Sequence, residues 1–166
     1  LNPLELPIVG AVRRNHALEH ATLHVLTERH PGLRLAGRSD WRGFTLYGDI
    51  DIHEVADGVL MALQRLRAGE RQLAIHPRCG TNLATGVVLA GAASYAVWDN
   101  KRRSTLLKIL GLAAGLAAAV TLAQPLGEKL QEHVTTSSDV ARLCVVGVRR
   151  QEAGTLIVHR ISTRLE

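Results

Sequence analysis

The residues with the clearest chemical capacity lie in one run, 15–24, which reads N-H-A-L-E-H-A-T-L-H. His16, Glu19 and His20 stand at i, i+3 and i+4. On a helix, where each residue turns about 100°, those positions share one face. Two imidazoles one turn apart can grip a single metal ion, and the carboxylate beside them can orient or deprotonate a water instead of binding the metal. His24 extends the same polar edge by a further turn. The competing reading is chance, because the chain holds eight histidines and the pattern is short.

The surrounding pattern supplies elements to carry this run. A helix is expected over 8–29, with Val12, Leu18, Ala21, Val25 and Leu26 on its apolar side and His30-Pro31-Gly32 as its stop. Residues 33–38 and 44–50 read as a hairpin that turns over 39–43, with Phe44, Leu46 and Gly48 on one side and Thr45, Tyr47 and Asp49 on the other. Asp51 is placed to cap a second helix over 52–67, which Ala68-Gly69 ends. A short third strand is expected over 72–76. Residues 140–149 and 155–164 read as a second hairpin joined by Gln151-Glu152-Ala153-Gly154.

Between these parts lie two apolar stretches. Residues 83–98 carry no charge, and 105–124 carry only Lys108. A polar loop over 99–104 with Lys101, Arg102 and Arg103 separates them. A span of about 20 apolar residues crosses a bilayer as a helix. Gly111 and Gly115, and Ala114 and Ala118, are spaced for close helix packing in lipid, and Tyr95 and Trp98 suit an interface. A buried helical pair in a soluble core is the alternative, but so small a core could hardly cover two such helices. An even number of crossings returns the second hairpin to the side of the first helix. The expected fold is therefore α+β: a mainly antiparallel sheet with two helices on one face, interrupted by a two-helix transmembrane hairpin. The parts are 1–82 (an αββαβ segment with the metal site), 83–126 (the membrane hairpin) and 127–166 (a β-hairpin completing the sheet).

Composition narrows the function. Hydrophobic residues make up 46% of the chain but aromatics only 3%, and the net charge is +5. The arginines are scattered and aromatics for base stacking are scarce, so no nucleic-acid partner is expected. The excess charge reads as a solvated or headgroup-facing surface. Two cysteines, Cys79 and Cys144, do not make a disulfide framework and suit a reducing compartment. A thiol ligand favours a cytoplasmic domain, although the basic residues flanking the two ends of the spans nearly balance. The chain opens on Leu1 rather than Met, so further residues are expected to precede it, and no signal peptide is visible within it.

In its order of motifs the chain resembles the superfamily of S-ribosylhomocysteine lyase and of the pitrilysin- and mitochondrial-processing-type metallopeptidases. The resemblance runs over 15–82 and rests on H-A-L-E-H, D-W-R-G-F-T-L and C-G-T-N. It implies that His16, His20 and Cys79 are metal ligands, that Glu19 is the general base, and that the ion is zinc or another divalent metal such as iron. His76, three residues before Cys79, is a rival third ligand. The chain departs from the lyases by carrying Asp40 where they have a second, catalytic cysteine. It departs from the peptidases by offering Cys79 where they use a glutamate, and by having one half where they pair two. Cys144 is expected in the core, and His30, His53, His133 and His159 carry no motif.

The implied function is a membrane-anchored metal-dependent hydrolase, peptidase-like, acting on a peptide or protein near the bilayer. Asp40, Arg38 and Arg42 could touch substrate from the hairpin turn, although a solvated turn is the simpler account. The alternative function is a small non-catalytic membrane subunit with a structural metal, binding protein partners. A third reading is a homo-oligomer in which two sheets face each other.

Overall fold

The computed structural model describes residues 2–99, 104–154 and 156–166. Most of the expected 99–104 loop, including Lys101, Arg102 and Arg103, lies outside them, as does Thr155. The chain divides into two units, Leu1–His76 with Glu132–Glu166, and Pro77–Gln131. Cys79 therefore belongs to the second unit, and the expected boundaries at 82/83 and 126/127 shift.

In the first unit, helix α1 (Pro7–Arg29) begins with its proline in the first turn, where no N–H is needed. It stops where the His30 N–H bonds the Leu26 carbonyl and Gly32 turns the chain at φ +93°. Strands β1 (Ala36–Asp40) and β2 (Gly43–Tyr47) form the first hairpin. Helix α2 (Ile52–Arg67) starts on Asp51, whose carboxylate accepts the His53 N–H at 2.7 Å. Strands β3 (Leu143–Ala153) and β4 (Leu156–Leu165) form the second hairpin.

All neighbouring strands are antiparallel, in the order β1-β2-β4-β3. The C-terminal hairpin thus completes the sheet, as expected. Phe44 and Leu46 point inward with Ile161 and Leu143, and all four are buried. Leu18, Val25 and Leu26 of α1 and Val55, Val59 and Leu63 of α2 close over them in one core. Burying each such side chain contributes about 1.5–3 kcal/mol.

The expected third strand over 72–76 is a correction. Arg71–Ala74 is a single 3-10 turn, closed by the Ile75 N–H on the Gln72 carbonyl at 3.1 Å. Leu73 and Ala74 are buried, and the Ala74 and Ile75 carbonyls accept from histidine rings of α1 rather than from a neighbouring strand.

The second unit pairs α3 (Gly80–Trp98) with α4 (Thr105–Leu130). The apolar stretch was expected over 105–124, yet the helix continues through Pro125 to Leu130 and a π turn, Gln131–Thr135, follows. Packing on α3 holds it on both sides of the proline, with Asn82 against Gly127 and Gly86 beside Ala123. Among the described residues one helix, Thr105–Thr135, is long and apolar enough to cross a membrane by length and composition. The other expected span, α3, falls short of that measure, because Thr81, Asn82, Thr85 and Ser94 dilute its apolar run.

Candidate metal centre

Helix α1 brings His16, Glu19 and His20 onto one face, as their spacing requires. The His16 and His20 ring centroids lie 4.3 Å apart. His20 is buried, and its Nδ1 donates to the Ala74 carbonyl at 2.7 Å. His16 Nδ1 donates to the Thr135 carbonyl at 3.0 Å. A carbonyl can only accept, so in both rings Nδ1 carries a proton, and in the neutral ring Nε2 carries the lone pair. Burial pushes the His20 pKa down to about 3, helped by the neighbouring His16. A neutral imidazole is the form that binds metal.

Glu19 is nearly excluded from solvent and faces β1. The Ser39 hydroxyl donates to its Oε2. Gly37 lies against the rest of the carboxylate, which any larger residue there would displace. Burial raises the Glu19 pKa above the usual carboxylate value, while the Ser39 bond and His16 oppose the shift.

His24 and His76 complete a row of rings. His76 lies 5.6 Å from His20 and 4.9 Å from His24, centroid to centroid. His24 Nε2 donates to the Ile75 carbonyl at 2.8 Å, so its proton sits on the opposite nitrogen from those of His16 and His20. His76 thus joins the histidine face that sequence reasoning gave it only as a rival. Cys79, in the second unit, is the N-cap of α3, where its sulfur accepts the Thr81 N–H at 3.4 Å.

Asp40 is tied to the scaffold. Arg160 grips its carboxylate at 2.7 and 2.9 Å and holds its pKa below the usual range. Asn15 donates to the Asp40 carbonyl and accepts from the Thr163 hydroxyl. Arg42 stacks on Trp41, 4.2 Å from its ring centre. Cys144, expected in the core, is half-buried on β3 opposite Arg164. His159 is fully buried on β4, while His30 and His133 sit beside Glu54 and Glu132.

Sequence reasoning missed Arg13, on the turn before His16. It is 9% exposed and donates to the carbonyls of Leu4, His133, Val134 and Thr136 and to Glu5. It thereby fixes the segment that carries the Thr135 carbonyl. The only local signal was an arginine on the buried side of an apolar helix.

Fold and site together define a small α+β protein with a histidine face on its first helix and an inserted helical pair. Residues 11–148 match a domain of unknown function, DUF6391, and the chain belongs to that family. An uncharacterized protein of Picosynechococcus sp. (strain ATCC 27264 / PCC 7002 / PR-6) is 40% identical over 136 residues, which cover 76% of this chain and 66% of that protein. The chain thus spans just under two thirds of the length of that relative. No solved structure matches it.

Proposed function

We propose that the protein is a membrane-anchored metal-dependent hydrolase of the peptidase type. His16 and His20 hold zinc or a similar divalent ion, with Cys79 as the third ligand that the sequence motif implies, and Glu19 is the general base. One observation carries the reading: His16 and His20 both have Nδ1 fixed on backbone carbonyls, so both turn Nε2 to the same use, as carbonyl-oriented histidine ligands do. The donor set suits the ion. Cys79 follows His76 by three residues, so the chain holds its Cα within about 11 Å of a residue whose ring lies against His20. Two neutral imidazoles and a thiolate leave a fourth position open. Bound there, the ion would polarise a carbonyl and activate a water. Glu19, buried and raised in pKa, is suited to take a proton and return it to a leaving group. The resemblance to metallopeptidases points to a peptide or protein substrate.

The anchor is α4, with α3 as its partner in a membrane hairpin. Leu83, Val87, Val88, Leu106, Ile109 and Val120 are each more than half exposed, an apolar surface that lipid covers and water does not. A thiolate ligand favours a cytoplasmic domain.

Elemental analysis of the purified full chain tests the site. One ion per chain is expected, lost in His16→Ala, His20→Ala and Cys79→Ser. Glu19→Gln should keep the ion and lose hydrolysis of a fluorogenic peptide library. An ion-free wild type sinks the reading. If Glu19→Gln equals wild type on every substrate while His16→Ala unfolds the chain, the metal is structural and the protein a non-catalytic subunit.

A further inference from the structure

We propose that the outer face of the sheet is a docking surface for an anionic bilayer. This rests on the reading of α4 as a membrane anchor. Helices α1 and α2 cover only the inner face, where Phe44, Leu46 and Ile161 are buried. The strand register sets Arg38, Thr45, Arg160 and Arg149 in one row across the other face. With strands about 4.8 Å apart, that row crosses about 14 Å of sheet.

Arg149 and Arg160 are direct cross-strand partners. Like charges so placed repel, and here the Asp40 carboxylate on Arg160 offsets part of that repulsion. Arg38 and Arg149 have no ion pair among the described residues. Tyr47 lies on the same face in the next row, opposite Val158. At the β1–β2 turn Trp41 is 51% exposed, with the Arg42 guanidinium over its ring. Acidic residues gather elsewhere, at Asp49, Asp51, Glu54 and Asp57 around the start of α2.

Arginines interleaved with an exposed tryptophan and a half-buried tyrosine match the headgroup layer, where the guanidinium meets phosphate and the ring meets the acyl boundary. An anchored chain keeps this face at high effective concentration near lipid, whereas an acidic protein partner would have to be captured from solution. The bilayer is therefore the occupant the charge pattern favours.

The chain has two tryptophans, so Trp98→Phe leaves Trp41 as the sole reporter. The full chain is reconstituted in phosphatidylcholine vesicles with and without phosphatidylglycerol, and acrylamide quenching of Trp41 is measured. Phosphatidylglycerol should protect Trp41, and high salt should remove the protection. Arg149→Gln should weaken it, by about fivefold in the docked-to-undocked ratio. Arg38→Glu with Arg149→Glu should abolish it while circular dichroism stays native. Equal quenching in both lipids, or protection that survives the double charge reversal, overturns the proposal. Alkaline extraction from pure phosphatidylcholine separates the two readings. A chain that stays in the vesicles yet shows no response to phosphatidylglycerol refutes the docking face alone. A chain that washes off refutes the anchor and the proposal with it.

Discussion

Gly37→Ala probes the wall that holds the proposed base. Gly37 lies on the edge strand β1, paired with Leu46 and facing Glu19. A Cβ there would meet Glu19 Cδ at 2.6 Å and Cγ at 2.7 Å, with Oε1 closer still. Ordinary carbon contacts lie at about 3.5–4.0 Å. Glu19 is 4% exposed and bonded to Ser39, so its carboxylate has to leave that bond to make room. Overpacking costs about 1–3 kcal/mol, and a lost hydrogen bond to a charged group about 1.5–3 kcal/mol. The chain takes the cheaper route, so the expected loss is about 1–3 kcal/mol. Denaturant unfolding in detergent measures it, with metal content and peptide turnover read on the same samples. The ion should be retained while turnover falls by about 10²-fold or more, the usual contribution of a general base. Ser39→Ala, which removes the bond without adding volume, should be milder in both respects. Wild-type stability and wild-type turnover in Gly37→Ala would refute the placement of Glu19 against β1. Loss of the ion together with turnover would mean that the site collapsed rather than that the base moved.

Three further outcomes follow from the same structure. The His20 pKa falls from 6.5 unfolded to about 3 folded, so the unfolded chain binds more protons between those values. Its contribution to stability is complete above about 6.5 and is lost as pH falls, by about 2 kcal/mol at pH 5 for the metal-free protein. Raised in pKa, Glu19 acts in the opposite sense, so the comparison is with His20→Gln, whose loss between pH 7 and 5 should be smaller by that amount; equal losses would refute the buried neutral ring. Arg13→Met should cost about 3–5 kcal/mol in denaturant unfolding, and Arg13→Lys should recover little of it, because one ammonium cannot serve carbonyls at both ends of the guanidinium. Gly127→Ala would set a Cβ 2.7 Å from the Asn82 Cα, so the ends of α3 and α4 have to separate, and thermal unfolding in detergent should begin at lower temperature.

Helix α2 was legible to the residue because its apolar positions repeat at helical spacing between an Asp cap and a glycine stop. The two hairpins were legible from alternation, and β1 and β3 were displaced by about three residues because alternation marks a face better than an end. The turn at 71–74 was misread as a strand, since four residues carry too little period to separate the two.

His16, Glu19 and His20 were readable from sequence alone, because a helix turns fixed spacing into a shared face without help from the rest of the chain. Tertiary structure decided what those side chains can do. The carbonyls that set the two histidine tautomers come from Ala74 and Thr135, 54 and 119 residues away. A backbone carbonyl is the same group at every position, so no residue type announces it. The hydroxyl on Glu19, the glycine that makes room for it and the ring of His76 beside His20 likewise arrive only when strands and turns close on α1. Local periodicity wrote the histidine face, and long-range packing chose its protons, its neighbours and its burial.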